Sequence, residues 1–277
     1  MSSSDKTALR IFQNDKLPPR VLAIHIIIVA CIVLAIFTNS FSFAPVFAFQ
    51  CKNYILNTYL YFLLTWGIAL LLVSAFDQLY TVKGAPLKSS PLNSPIATII
   101  TIIASIGLLF LLFRVRGNIY AVHFVYLLWT ATISILLYRL FVRNRDLFYK
   151  SMVSVVAILV IFTIISFIFP DLISNKVATY LFGILIAIIV ARIVEIILYA
   201  FDVISPEDGR KMSKGISYVA IVLFTMFLIY DTDMIRKKAS TCNVRSFFNA
   251  PNYVESSLGI FLDSLNLMSS IFDVMSD

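Results

Sequence analysis

Residues 227–239 read FLIYDTDMIRKKA, an apolar run that ends on Asp231 and Asp233 and then meets three cations. Residues 257–272, SLGIFLDSLNLMSSIF, set Asp263 in the middle of another apolar run. An acidic side chain at the centre of a spanning helix costs ~2.5–3.5 kcal/mol on insertion scales. Two such stretches close together in sequence therefore need a reason, and the reason depends on the solvent around them.

Composition identifies that solvent. Of the 277 residues, 60% are hydrophobic and 13% charged, and the mean hydropathy is +0.92. A soluble domain carries about 25% charged residues, so this chain is read as an integral membrane protein. Its apolar runs are continuous and long, whereas barrel strands alternate over ~10 residues. In lipid each span must satisfy its own backbone, so continuous runs mean α-helices. Eight segments are marked: 21–43, 54–76, 96–113, 118–142, 152–169, 177–201, 215–235 and 256–275. Residues 1–20 form a polar N-terminal tail and 21–277 one polytopic all-α bundle. The stretches GAPLKSSPLNSP (84–95), DVISPEDGRKMSKG (202–215) and RKKASTCNVRSFFNAPNYVE (236–255) are read as loops.

The net charge of +7 comes from Lys and Arg in the tail and between spans. Such charge flanks membranes and attracts anionic lipid, so no nucleic-acid partner is expected. If the tail is cytosolic and all eight segments cross, 13 of the 22 cations fall on the tail's side and 8 on the other, with Arg192 inside a span. That bias favours a cytosolic tail. Cys31, Cys51 and Cys242 are far apart with no CxxC, so no disulfide framework is read. His25 and His123 lie in or beside apolar runs, where packing or hydrogen bonding accounts for them better than metal ligation. No HExxH, GxSxG or GxGxxG context occurs, so neither an enzyme nor a cofactor is expected.

Four positions carry charge where lipid should be: Arg192, Glu195, Asp231 and Asp263. Arg192 and Glu195 are three residues apart, on one helix face, where they neutralise each other. A self-paired ion pair is the plainer account of them, and a transport role the sharper one. Asp263 has no cation within one turn. Ser256, Gly259, Asp263, Asn266, Ser270 and Asp273 share its helical stripe. A headgroup helix would carry Lys or Arg on such a face, and none occurs from 256 to 277, so the stripe is read as the wall of an interior path. Asp233 suits a membrane boundary, with Arg236, Lys237 and Lys238 close behind, whereas Asp231 stays at the hydrocarbon edge. If Asp231 and Asp263 faced each other they would compete for one proton. Their oxygens would also suit Ca²⁺, which prefers carboxylates, as a transient occupant and not a resident metal.

Two of these stretches carry a family likeness. LFTMFLIYDTDMI (223–235), then a polar loop, then YVESSLGIFLDSLNLMSSIF (253–272), resembles the Bax inhibitor family, the transmembrane Bax inhibitor motif proteins. FLLFRVRGNIYAVHFVYLLW (110–129) and VATYLFGILIAI (177–188) fit earlier helices of that family more loosely, and the likeness spans about 54–275. It implies a seven-helix bundle of endoplasmic reticulum or Golgi membranes that leaks Ca²⁺ in a pH-dependent way and suppresses cell death. It further implies that two aspartates on the last two helices, here Asp231 and Asp263, hydrogen-bond to each other. An arginine from an early helix, here Arg114 or Arg116, latches them.

The chain departs from that family in its additional N-terminal span, 21–43, and in a longer loop before the last helix. Laid on segments two to eight, the family pattern puts Arg116 and Arg236 on the cytosolic side. That is opposite to the charge count. The leading expectation is a pH-sensitive Ca²⁺ leak channel. The alternative is a non-conducting scaffold that binds cell-death regulators or a Ca²⁺-release channel. An intramembrane aspartyl protease is a weaker third, since YDTD and FLDS lack glycine-rich surroundings.

Overall fold

A computed structural model describes residues 17–42, 48–80, 92, 94–201, 203–242 and 251–276. Among them are eight helices: α1 Pro19–Ser40, α2 Tyr54–Tyr80, α3 Pro95–Arg114, α4 Ile119–Arg143, α5 Arg145–Ile168, α6 Asn175–Ala200, α7 Pro206–Thr241 and α8 Tyr253–Met275. All eight are long and apolar enough to cross a membrane. The polar tail up to residue 16, most of the 84–95 stretch and residues 243–250 lie outside the described residues.

Helix ends follow local chemistry more closely than hydropathy does. The 202–215 stretch expected as a loop is largely the start of α7. Ser205 accepts from the Asp208 N–H at 3.1 Å, Pro206 opens the helix, and Glu207 pairs with Lys211 at 2.8 Å one turn on. The first turn of α5 is polar for the same reason, with Asp146 and Lys150 paired at 2.6 Å, and so it precedes the apolar segment. Asn118 caps α4 by accepting from the N–H groups of Tyr120 and Ala121. Asn252 caps α8 by accepting from the Glu255 N–H at 3.1 Å. A two-residue antiparallel ribbon, β1 Phe41–Ser42 against β2 Ala48–Phe49, joins α1 to α2. It is too short to register in a reading by periodicity.

The chain divides into two compact units, 1–145 with 241–257 and 146–240 with 258–277. In the first, α1 packs on α2, and α4 packs on both α2 and α3. Gly67 of α2 admits the Val29 side chain of α1, which would lie 3.1 Å from any Cβ placed there. The helix α4 buries Tyr126, Trp129, Tyr138 and Phe141. His123 of α4 bonds to the Tyr61 hydroxyl at 2.9 Å and stacks on Phe49, while His25 bonds to the Ser74 hydroxyl at 2.9 Å. Both histidines are thus hydrogen-bonded. Where the sequence offered no disulfide framework, Cys51 and Cys242 form a disulfide across 191 residues of sequence. Spacing could not reveal it, because the pairing exists only once α2 and α7 bring their ends together.

One charge pair in this unit escaped the sequence reading. Asp77, fully buried near the end of α2, receives the Arg145 guanidinium at 2.5 Å and the Leu17 N–H at 2.8 Å. Arg145 also lies over the Phe141 ring, 4.8 Å from its centroid. In the second unit, Ile173, Leu181, Leu223 and Ile229 form a core extended by Phe162 and Tyr230. The Ser166 hydroxyl donates to the Ile229 carbonyl at 3.2 Å and fastens α5 to α7. Lys237 near the end of α7 reaches Asp171 in the α5–α6 turn at 2.6 Å, and the Lys237 ammonium holds the exposed Asp171 carboxyl below its usual range.

Breaking the Asp77–Arg145 pair on one side strands a buried charge, at a cost of about 3–5 kcal/mol. Asp77→Asn should therefore lower the thermal midpoint of the detergent-purified protein sharply. Removing both charges together, with Asp77→Leu and Arg145→Met, should recover most of the loss in the same melting assay.

Candidate functional site

The acidic residues of the second unit divide by what accompanies them. Asp233 is buried yet lies 2.5 Å from Arg236 and 2.8 Å from Lys237, one helical turn further along α7. Glu195 and Asp273 converge on Arg192, at 2.9 Å and 3.4 Å. Asp231 and Asp263 have no ion pair among the described residues, and the Oδ2 atom of buried Asp263 has no hydrogen-bond partner there.

The polar neighbours of Asp263 on α8 bond along their own helix. Ser257 donates to the Val254 carbonyl, Ser264 to Phe261 and Asn266 to Leu262, each bond lying within α8 itself. An ionised carboxylate has no proton to spend and can only accept. The helix is also covered well beyond one stripe. Leu258, Ile260, Phe261, Leu267, Met268 and Phe272 are buried along with Ser256, Asp263 and Ser270. A helix lying among headgroups would leave its polar face open, so α8 is an interior helix, and its apolar residues pack inward as well as its polar ones.

Asp231 reaches this helix at Gly259. A Cβ on Gly259 would collide with the Asp231 Oδ2 atom and lie 2.9 Å from its Cγ. Glycine is a poor helix residue, about 1 kcal/mol worse than alanine, and here it makes room for the carboxyl of the facing helix. Asp263 follows four residues later, on the same face and one turn along, about 6 Å between side-chain origins. The structure thus brings Asp231 onto the α8 face that carries Asp263.

The family comparison falls on this part of the chain. A family profile described as inhibitor of apoptosis-promoting Bax1 matches residues 51–277. The chain belongs to the Bax inhibitor-like transmembrane family. Neither a curated protein nor a solved structure matches it significantly. The match begins after α1, so the Bax inhibitor-like bundle is α2–α8, seven helices, and α1 is an addition before it. The protein is a multi-pass membrane protein of a family that regulates cell death.

The remaining candidates are placed as follows. Arg114 ends α3 and Arg116 lies in the turn after it; both are exposed, and neither makes an ion pair among the described residues. Arg192 and Glu195 pair within α6, and the guanidinium also donates to the Ser213 and Ser217 hydroxyls of α7 at 2.7 and 2.6 Å. Sequence spacing pointed to Glu195 alone; Ser213, Ser217 and Asp273 are brought in by packing. Gly259 was visible only as a small member of the polar stripe. Its position inside a long helix was the signal that something approaches closely there.

Filling that space tests the contact. Gly259→Ala should cost about 1–3 kcal/mol of stability by overpacking. In an Asp231→Ala background, where the clashing carboxyl is gone, the same change should cost much less. A double-mutant cycle by thermal unfolding reads the coupling directly.

Proposed function

We propose that this protein is a channel, not an enzyme, and lets Ca²⁺ leak through an endoplasmic reticulum or Golgi-type membrane under the control of protons on Asp231 and Asp263. By limiting stored Ca²⁺ it suppresses cell death. The observation that carries this reading is a pair of carboxyls on facing helices, one seated on Gly259 and the other a turn away, with the Asp263 Oδ2 atom buried and without a hydrogen-bond partner among the described residues.

Their chemistry supplies both a gate and a site. With one proton between them, one carboxyl donates to the other and holds α7 against α8. With none, two like charges in a medium of low dielectric push the helices apart. The same two carboxylates then present oxygens suited to Ca²⁺ as a permeant ion. Arg114 or Arg116 is the candidate latch that captures a freed carboxylate. Family membership and the eight apolar helices support the membrane setting and the link to cell death.

Reconstitution in liposomes without any partner protein tests conduction. Wild-type flux should follow pH with up to about a tenfold change per unit, the limit for one proton at 1.36 kcal/mol per unit. Asp263→Asn and Asp231→Asn should flatten that response. Unchanged flux and unchanged pH response in both variants would remove the pair from the mechanism. Absence of any wild-type flux, with protection from cell death retained, would favour a partner-binding scaffold.

A further inference from the structure

The disulfide bears on a conflict that charge counting leaves open. A cytosolic tail with eight crossings gives the favoured cation bias. The family pattern laid on α2–α8 puts Arg116 and Arg236 in the cytosol and demands the opposite orientation. Six helices, α2 to α7, separate Cys51 from Cys242. An even number of crossings returns the chain to its starting side, so the bond is compatible with every one of these helices spanning. Contacts within the second unit agree on direction. Near its C-terminus α7 meets the α5–α6 turn through Lys237 and Asp171, and near its N-terminus Ser213 meets Arg192 towards the end of α6.

We propose that the face carrying Cys51 and Cys242 lies in an oxidising compartment, so that α1 sets α2–α8 in the membrane with the opposite orientation to the one carried over from the family pattern. Protein disulfides form and persist in the lumen of the endoplasmic reticulum, in the periplasm and on cell surfaces, and are rare where thiols are kept reduced. Closing the bond releases two protons and two electrons from the thiols. The electrons pass by thiol–disulfide exchange, through a mixed disulfide, to a disulfide oxidoreductase of that compartment. With this face outside the cytosol, alternate crossing puts the segment before α1, the α2–α3 and α4–α5 connections and the α6–α7 connection in the cytosol. These are the connections that carry the cation excess. Two independent features, a covalent bond and a charge bias, then agree on one orientation.

The consequence for the carboxyl pair rests on the channel reading above. Asp231 stands ten residues before the end of α7, and Cys242 follows that end directly. At 1.5 Å per residue the carboxylate is about 15 Å along the helix from the oxidising end. Along α7 the pair is therefore nearer to that end than to the other, and the charges on the way to it are Asp233, Arg236, Lys237 and Lys238, with Asp171 bound to Lys237. Protons and divalent cations of the oxidising compartment, and not of the cytosol, set the state of the pair.

The test uses the full chain with Cys31→Ser, so that Cys51 and Cys242 are the only thiols, in sealed vesicles whose cytosolic face is outward. A membrane-impermeant maleimide–polyethylene glycol reports accessibility by gel shift. Before reduction, no shift is expected even in detergent. After a membrane-permeant reductant, a double shift should appear only when the vesicles are permeabilised. A Ser89→Cys variant, between α2 and α3, should be labelled in intact vesicles. Cys51→Ser leaves a single Cys242 thiol that should need permeabilisation but no reductant, which keeps the orientation testable if the bond itself is absent. Labelling of Cys242 in intact vesicles, or protection of Ser89→Cys there, would overturn the orientation. Free thiols in the untreated chain would overturn the bond. None of these readouts involves flux, so a non-conducting protein with this orientation would still give the expected pattern, and the opposite orientation would be seen even in a conducting one.

Discussion

A carboxylate removed from water needs a cation, hydrogen-bond donors or a proton, because leaving it bare costs several kcal/mol. That constraint orders the acidic residues in this protein's helices. Asp77 has Arg145 and a backbone N–H; Asp233 has Arg236 and Lys237; Glu195 and Asp273 share Arg192. These pairings lie near helix ends, where long basic side chains meet acids a turn away or on a neighbouring helix. Asp231 and Asp263 make no ion pair among the described residues, and of the three solutions a proton taken from water is the one that two neighbouring carboxyls can share. The argument for function begins with that difference.

The surrounding architecture serves the same contact. Gly259 gives up helix propensity so that Asp231 can approach α8, and α8 is covered widely enough that its carboxyl does not simply turn to open water. Ser257, Ser264 and Asn266 beside Asp263 each donate to a carbonyl of their own helix. Elsewhere, Ser166 on the Ile229 carbonyl and Lys237 on Asp171 hold α7 at two points along its length.

The eight spans were legible in the sequence because hydropathy over ~20 residues reports directly on the solvent. Their ends were less so: Ser205, Pro206 and Asp208 start α7 with polar residues that a hydropathy reading assigns to a loop. Arg192 with Glu195 was legible because a spacing of three is local. Asp77 with Arg145 was not, since 68 residues separate them and only the packing of α2 brings the carboxylate to the start of α5. The Cys51–Cys242 bond was hidden for the same reason at greater distance. Asp231 and Asp263 could be named from the sequence as acids in unusual company, but Gly259 as the seat between their helices needed three dimensions.

The most direct test of the central contact is cysteine crosslinking of Asp231→Cys with Gly259→Cys in the Cys31→Ser chain, in membranes with a mild oxidant. A Cβ at residue 259 would lie 2.9 Å from the Asp231 Cγ, close enough for a disulfide, whose Cβ atoms are roughly 3.5–4.5 Å apart. The account predicts rapid, near-complete crosslinking of this pair and little for Ile229→Cys with Gly259→Cys, which points to another face of α7. Equal or faster crosslinking of the control pair, with the 231–259 pair unlinked, would mean that the Asp231 side chain does not reach α8.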